Sequence, residues 1–515
     1  MSENTFDFIV VGAGAGGAAV ASRLSEVPNA KVLLLEAGTG NIPQNVRIPA
    51  AWPTLLFSDI DWKYSSTPQK GLNGRQTPEP RGRVVGGSSN LYIMMHIRGH
   101  ESDFDNWAYN GCPGWAYKDL LPFFAKSEDQ EDDTNPTGGK GGAIAVTNAK
   151  DHNPNPYSER FIEACTELGF PQTDDFNGPN MIGAGWHHLN VRDGKRHAAN
   201  EAYIEPFIES RPNWTLSPNS LATKLIIEGN RCVGVEYVKD GQKMTARATG
   251  EVIVTGGAIE SPKLLLLSGI GPAAHLKQHG IDVVVDLPGV GQNFHNHVLT
   301  GMIYETKDAL KAPNLQMSES ALFCKSDPGW VGPDIQMAFI SASFDIIVGQ
   351  ANPNSISILP GVVRPLSRGS VSLASGNPQD YPLVDANYLG VQSDADRLVW
   401  AFKLGREIFN TKTFREVLTG KELLPHPGDS VKTDAEIMQF VRNNAASYHH
   451  QSGSCKMGLD SMAVVDPELR VYGVEGLRVA DAAVFPQVPS GNCHSAILVV
   501  GEKCADFIKR DHNLQ

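Results

Sequence analysis

Long apolar runs, paired cysteines and an excess of positive charge are all missing from this chain of 515 residues. No stretch stays apolar for the roughly 20 positions a membrane-spanning helix needs, which excludes a span of that kind. The seven cysteines (112, 165, 232, 324, 455, 493 and 504) are odd in number and contain no C-x-x-C pair. That pattern argues against a disulfide framework and a thiolate zinc site, and scattered thiols fit a reducing compartment. Acidic residues outnumber basic ones by 57 to 44, a net charge of −13. The basic face that phosphate backbones or anionic lipids require is therefore not expected. Residues 1–7 are polar and acidic, without the order of a secretory signal. Together these absences predict a cytosolic (cytoplasmic) protein that binds no nucleic acid, no membrane and no metal. What is present is ordinary for a globular chain, 41% hydrophobic and 20% charged, at a length that calls for more than one domain.

The most informative local pattern is at the start. Phe8–Val11 is a short apolar run of the kind a parallel strand buried on both faces needs. It leads into Gly12-Ala-Gly14-Ala15-Gly-Gly17, a helical stretch to Leu24, a second strand over 31–35, and Glu36. Gly12 permits the tight turn, Gly14 lets backbone approach a pyrophosphate, and Gly17 lets helix and strand pack closely. The helix N-terminus offers N–H groups and partial positive charge to phosphate. Glu36 stands where a carboxylate accepts hydrogen bonds from ribose hydroxyls and repels a 2′-phosphate, which disfavours NADP. This unit alone fits FAD and NAD equally.

Four further segments resemble the glucose–methanol–choline (GMC) oxidoreductase family. They are Arg-Val-Val-Gly-Gly-Ser-Ser-Asn-Leu-Tyr-Ile-Met-Met-His-Ile-Arg-Gly at 83–99, Gly-Gly-Ala-Ile-Glu-Ser-Pro-Lys-Leu-Leu-Leu-Leu-Ser-Gly-Ile-Gly-Pro at 256–272, Leu-Pro-Gly-Val-Gly-Gln-Asn at 287–293, and the stretch 477–508 with Arg478, Asp481 and Pro486. With the opening motif they span nearly the whole chain in the family's order. The resemblance implies an α/β fold: a discontinuous Rossmann-type FAD-binding domain plus a substrate domain with an antiparallel sheet backed by helices. It implies FAD as the cofactor, with contacts at Gly12, Gly14, Ala15, Gly17, Glu36, Ala37, Arg83, Val85, Gly87, Ser88, Asn90, Leu91, Ala222, Gly257, Asp481, Ala482 and Asn492. Some members attach FAD to a histidine just beyond the Gly-Gly step; here that position is Leu91, so non-covalent FAD is expected. The family's usual next asparagine is Tyr92.

In the same family a histidine three residues before a Gly-Ser/Thr step, with Met-Gly following, is the catalytic histidine. His450 has that spacing in 448–458, and His449 does not. Alignment on Gly501-Glu-Lys-Cys-Ala-Asp506 puts Asn492 at the partner position, with His494 as a further candidate for flavin or substrate contact. A shift of two residues would exchange those roles. Histidine suits proton removal near neutrality, and an amide can donate to a developing alkoxide. The implied reaction is FAD-dependent oxidation of a small-molecule alcohol, primary and aromatic or otherwise apolar, with oxygen or another electron acceptor. The alternative on the same scaffold is a hydroxynitrile lyase with redox-silent FAD. His187-His188 and His295-Asn-His297 are read as structural.

The expected division is 1–155, 210–300 and 450–515 for FAD, with 156–209 and 301–449 for substrate. Residues 127–157, rich in Asp, Asn, Gly and Pro, read as a surface excursion or lid. Ile335, Met337 and Phe339, like Val371 and Leu373, alternate as in a sheet with one covered face.

Overall fold

The computed structural model describes residues 4–345, 352–426 and 431–514, and its architecture is set by two sheets. In the first, five parallel strands lie in the order Trp214–Ser217, Val32–Leu35, Asn4–Val11, Gln242–Val254 and Leu477–Val479. The long strand Gln242–Val254 also continues into an antiparallel meander through Arg231–Lys239 and Ser220–Glu228. Phe8–Val11 and Val32–Leu35 are fully buried, as apolar runs with no polar face must be. The crossover helix Ala15–Leu24 and the long C-terminal helix Cys493–Asp511 pack on one another beside this sheet.

Register decides where the sheet opens. Val11 pairs with Leu35 and Val254, Leu35 with Ser217, and Val254 with Val479. All five strands therefore end at one edge, the edge at which open parallel sheets bind ligands. The chain leaves that edge through Gly12–Gly17, Glu36, the 217–222 turn, Thr255–Gly257 and Ala480–Ala482.

The second sheet is antiparallel, in the order Leu418–Leu424, Met302–Thr306, Ser355–Val362, Ile335–Ile340, Ser320–Cys324 and Gly183–Trp186. The short strand Val298–Leu299 joins it and pairs with Ala446–Ser447. Helices Pro156–Glu167 and Gln392–Phe409 pack against it. Here the alternation read from the sequence needs correction. Ile335–Ile340 is buried at every position, because both faces are covered. Phe339 stacks on Phe161 of the first of these helices at 5.3 Å between ring centroids, while Ala338 and Ile340 face a cavity between the sheets. Val371 and Leu373 do alternate with partly exposed serines.

The 127–157 stretch also differs from expectation. It contains the buried strand Ile144–Asn148, which pairs with Glu128–Gln130 and with His188–Leu189, and none of its residues lines the cavity. Its anchor is a buried ion pair of Arg98 with Glu128, itself bonded to His96 at 2.9 Å.

Candidate active site

A cavity of about 490 Å³ runs from the carboxyl edge of the first sheet to the inner face of the second. That is within the roughly 300–1,000 Å³ range of small-molecule sites. Its two ends differ chemically, and each follows from the elements that build it.

The end at the first sheet is made of backbone. The helix Ala15–Leu24 starts there with Gly14 as N-cap, no side-chain cap and no acidic residue in its first turn. Its leading N–H groups are thus left for a ligand's negative charge. A Cβ built on Gly14 would stand in open space, whereas one on Gly17 would collide with the carbonyl oxygen of Gly12. The two glycines of one motif therefore serve different ends, approach of a ligand and packing of helix on strand. Glu36 accepts from Ala13 N–H at 2.9 Å and Gly38 N–H at 2.8 Å. Burial pushes its carboxyl up to about 7, against the pull of those two donors and of Arg83. Asp481 accepts from Gly257 N–H at 2.9 Å, Ser261 Oγ at 2.6 Å and Ala483 N–H at 2.7 Å, tying the turn after Val254 to the turn after Val479.

Gly12, Gly14, Ala15, Glu36, Ala37, Gly87, Ser88, Leu91, Ala222, Gly257, Asp481, Ala482, Asn492, His450 and His494 all line this cavity. Four further residues expected to contact FAD, Gly17, Val85, Asn90 and Arg83, are not among those lining the cavity. Gly17 packs on the strand, and Val85 sits in the hydrophobic core. The side chain of Asn90 turns away to donate to Val85 O at 2.7 Å, and Arg83 lies over the Trp62 ring at 4.7 Å. A side chain that satisfies the loop's own backbone or stacks outside it leaves the loop, not itself, to face a ligand.

At the other end His450 is buried, with three neighbours fixing it. Its backbone N–H donates to Asn296 Oδ1 at 2.8 Å, its ring stacks on Tyr448 at 5.1 Å, and its Nε2 lies 3.1 Å from Asn492 Nδ2. Burial, with smaller contributions from His297, His449 and Arg81, holds its pKa well below the ordinary histidine value. It is therefore a neutral imidazole. Asn492 is the N-cap residue of Cys493–Asp511, yet its side chain caps nothing on its own helix and reaches His450 instead.

Asn492, not His494, is thus the neighbour of His450. His494 turns to a separate cluster, its Nδ1 3.2 Å from Asn190 Oδ1 and its ring 4.8 Å from that of Tyr92. Burial holds it down to about 3. Tyr92 donates to the same Asn190 oxygen at 2.6 Å.

Sequence reasoning read His297 as structural and passed over Arg81. His297 contacts His450 directly, Nδ1 to Nδ1 at 2.8 Å. Arg81 lines the cavity and donates to His449 O at 2.7 Å. No spacing rule ties either residue to His450, because both come from segments far from it. His188 lies between Asp132 at 3.1 Å and Asp175 at 3.2 Å, carboxylate company the sequence did not suggest. Among the described residues no cluster of three or more His, Cys, Asp or Glu could hold a metal, and no helix is long and apolar enough to cross a membrane.

Five parallel strands delivering glycine turns and an uncapped helix to one edge define a dinucleotide-binding oxidoreductase, with a histidine–asparagine pair facing the same cavity. The GMC oxidoreductase family models match residues 6–299 and 365–501, and the chain belongs to that family. The oxygen-dependent choline dehydrogenase of Brucella ovis is 39% identical to it, covering 98% of this chain and 95% of that protein. Human mitochondrial choline dehydrogenase is also 39% identical, over 99% of this chain and 90% of its own. Among solved structures, pyridoxine 4-oxidase from Mesorbium loti superposes with a TM-score of 0.92 at 33% identity, covering 99% of this chain and all of that one. Formate oxidase from Aspergillus oryzae gives 0.91 at 27%, covering 99% of each. The protein is a flavoprotein oxidoreductase, and its cofactor is FAD.

Proposed function

We propose that the protein oxidises a neutral primary alcohol with an aromatic or otherwise apolar body to the aldehyde, His450 acting as the base. The observation that carries this is the contrast between the polar His450–Asn492 pair and the walls beyond it. Those walls are Trp52, Leu299, Ala338, Ile340, Phe344, Leu359 and Tyr448. Among the described residues the carboxylates lining the cavity are Glu36, Glu260 and Asp481, all in turns or helix starts of the first sheet. Among the described residues Arg81 is the arginine or lysine on its surface. Among the described residues a quaternary ammonium such as choline would find aromatic faces but no carboxylate beside these walls, whereas a neutral ring would be matched to the aliphatic and the aromatic side chains alike. Pyridoxine, which names a 33% identical neighbour, is a heteroaromatic alcohol of the proposed kind.

In this reading the glycine turn and first helical turn hold the pyrophosphate, Glu36 the ribose, and the Gly87–Leu91 and Asp481–Ala482 turns the rest of FAD. The first sheet with its helices is the FAD-binding part, and the second sheet with its helices is the substrate part. Leu91 offers only an alkyl group, so FAD is held without a covalent bond and acid precipitation releases it. Seven buried, unpaired cysteines suit a reducing compartment.

Bound FAD supplies the acceptor for the hydride that leaves the alcohol carbon, oxygen or another acceptor taking the electrons afterwards. The chain's own part is acid–base and positional. His450 Nε2 accepts the hydroxyl proton, and the amide of Asn492 donates to the oxygen as negative charge grows on it. The apolar walls exclude water and orient the carbon.

Anaerobic stopped-flow mixing with benzyl alcohol, pyridoxine and choline tests this. Bleaching of the flavin by the aromatic alcohols, faster than by choline, is expected. Choline reducing it best would overturn the substrate class. A flavin left oxidised by every alcohol would overturn alcohol oxidation itself.

A further inference from the structure

His297 and His450 come together because two short strands place them side by side. Val298 pairs with Ser447 and Leu299 with Ala446, and Tyr448 N–H donates to His297 O at 3.1 Å. Just beyond, His295 and Ser452 exchange backbone hydrogen bonds at 3.0 and 2.9 Å. Asn296 completes the clamp. Its Oδ1 takes the His450 N–H, while its Nδ2 donates to Tyr388 Oη at 2.6 Å and Ser447 Oγ at 2.8 Å. The two imidazoles meet edge to face, 4.9 Å between centroids at 89°. Both are buried, His297 completely.

A separation of 2.8 Å between two nitrogens is a hydrogen bond, so one proton lies between them. Both rings are neutral. Burial holds His297 down to about 3 and His450 well below its ordinary value. A neutral imidazole has one N–H and one bare nitrogen, so the direction of this bond sets the tautomer of each ring. Two independent contacts choose it. The carbonyls of Val363 and Pro489 lie beside the His297 ring and favour a proton there, although neither completes a hydrogen bond to Nε2. With Nδ1 engaged by His450, that proton belongs on Nε2. At the far side of the pair, Asn492 presents its NH₂ to His450 Nε2, which is then bare. Both contacts favour the same arrangement, in which His450 Nδ1–H donates to His297 Nδ1.

Building on the reading of His450 as the base, we propose that His297 is its positioning residue. His297 Nδ1 holds the His450 proton on Nδ1 and so keeps Nε2 as the bare atom that receives the alcohol's proton. When the O–H bond breaks and its proton moves to Nε2, His450 becomes an imidazolium. The Nδ1–H···Nδ1 bond then becomes charge-assisted and stabilises that cation. His297 itself does not line the cavity. Second-neighbour control of which imidazole nitrogen is protonated is the same device that orients metal-bound and triad histidines.

Two substitutions separate this role from mere packing. His297→Asn places an amide oxygen near the position of Nδ1 and keeps an acceptor. His297→Leu fills the space without one. At equal FAD occupancy, His297→Leu is expected to slow flavin reduction by a saturating alcohol at least tenfold while leaving the apparent Kd for the alcohol within about twofold, and His297→Asn to recover most of the rate. Equal rates in wild type and His297→Leu, or equal losses in both variants, would overturn the proposal.

The second readout needs no turnover. In the FAD-loaded protein labelled with ¹⁵N-histidine, His450 should show a protonated Nδ1 and a bare Nε2 in the wild type, with the Nε2–H form rising in His297→Leu. A wild-type spectrum with the proton on Nε2 would overturn the proposal whether or not the enzyme oxidises alcohols. Failure of alcohol oxidation with the expected spectrum would instead strike the reading of the base.

Discussion

The two sheets meet the same cavity with different parts of the chain. The parallel sheet contributes turns, so its surface there is mostly main-chain N–H, glycine and a few carboxylates that tie one turn to another. The antiparallel sheet contributes the faces of its strands, so its surface is side chain: Ala338, Ile340, Leu359 and their neighbours. On the proposed reading, recognition of a constant group, a nucleotide, falls to backbone, which a point mutation seldom alters, and recognition of a variable group, the substrate, falls to side chains, which can change one at a time without loss of fold.

The comparison breaks most sharply at two glycines three residues apart in sequence, Gly14 and Gly17. Gly17→Val should abolish folding, since even a methyl there meets Gly12 O. Gly14→Val should leave circular dichroism and melting near those of the apo wild type while FAD occupancy falls to nothing, because only the ligand needs that space. A yellow, loaded Gly14→Val protein would remove the turn from the cofactor's site.

Next in size is His450→Ala. FAD stays bound, and flavin reduction slows by about 10²–10⁴, the usual worth of a positioned base. A variant reducing at the wild-type rate would leave the base unassigned. On the substrate side, Phe344→Ala should raise KM for an aromatic alcohol about tenfold with kcat little changed, as expected for loss of binding shared by ground and transition states. A fall in kcat alone would place Phe344 in the chemistry rather than in the wall.

The smallest effect is on pH. A base whose pKa is held below the ordinary value stays neutral in more acid solution, so kcat/KM should keep its plateau below pH 6.5 and fall only further down. An acid limb centred at or above 6.5 would mean that the cavity leaves His450 unperturbed.

Legibility in the sequence followed the same divide. The turn Gly12–Gly17, Glu36, the 256–272 helix start and the His450 spacing are local patterns, and each stands at the cavity. Asn492 required alignment on a neighbouring motif, and the choice between it and His494 needed geometry. Both are on the first turn of one helix, and only the direction of each side chain separates them. Asn90 and Arg83 belong to a motif that does face the cavity, yet their side chains turn elsewhere, which no one-dimensional pattern records.

By itself the sequence determined the parallel core, the glycine turn and the candidate base, because strand burial, backbone freedom and short spacing are properties of neighbouring residues. Only the tertiary structure decided that both faces of Ile335–Ile340 are covered, that the cavity's carboxylates among the described residues lie at one end, and that His297 meets His450. Those facts join residues far apart in the chain, 153 positions for His297 and His450, and the physical quantities that matter there, a 2.8 Å contact and the exclusion of water, exist only once the chain has closed around them.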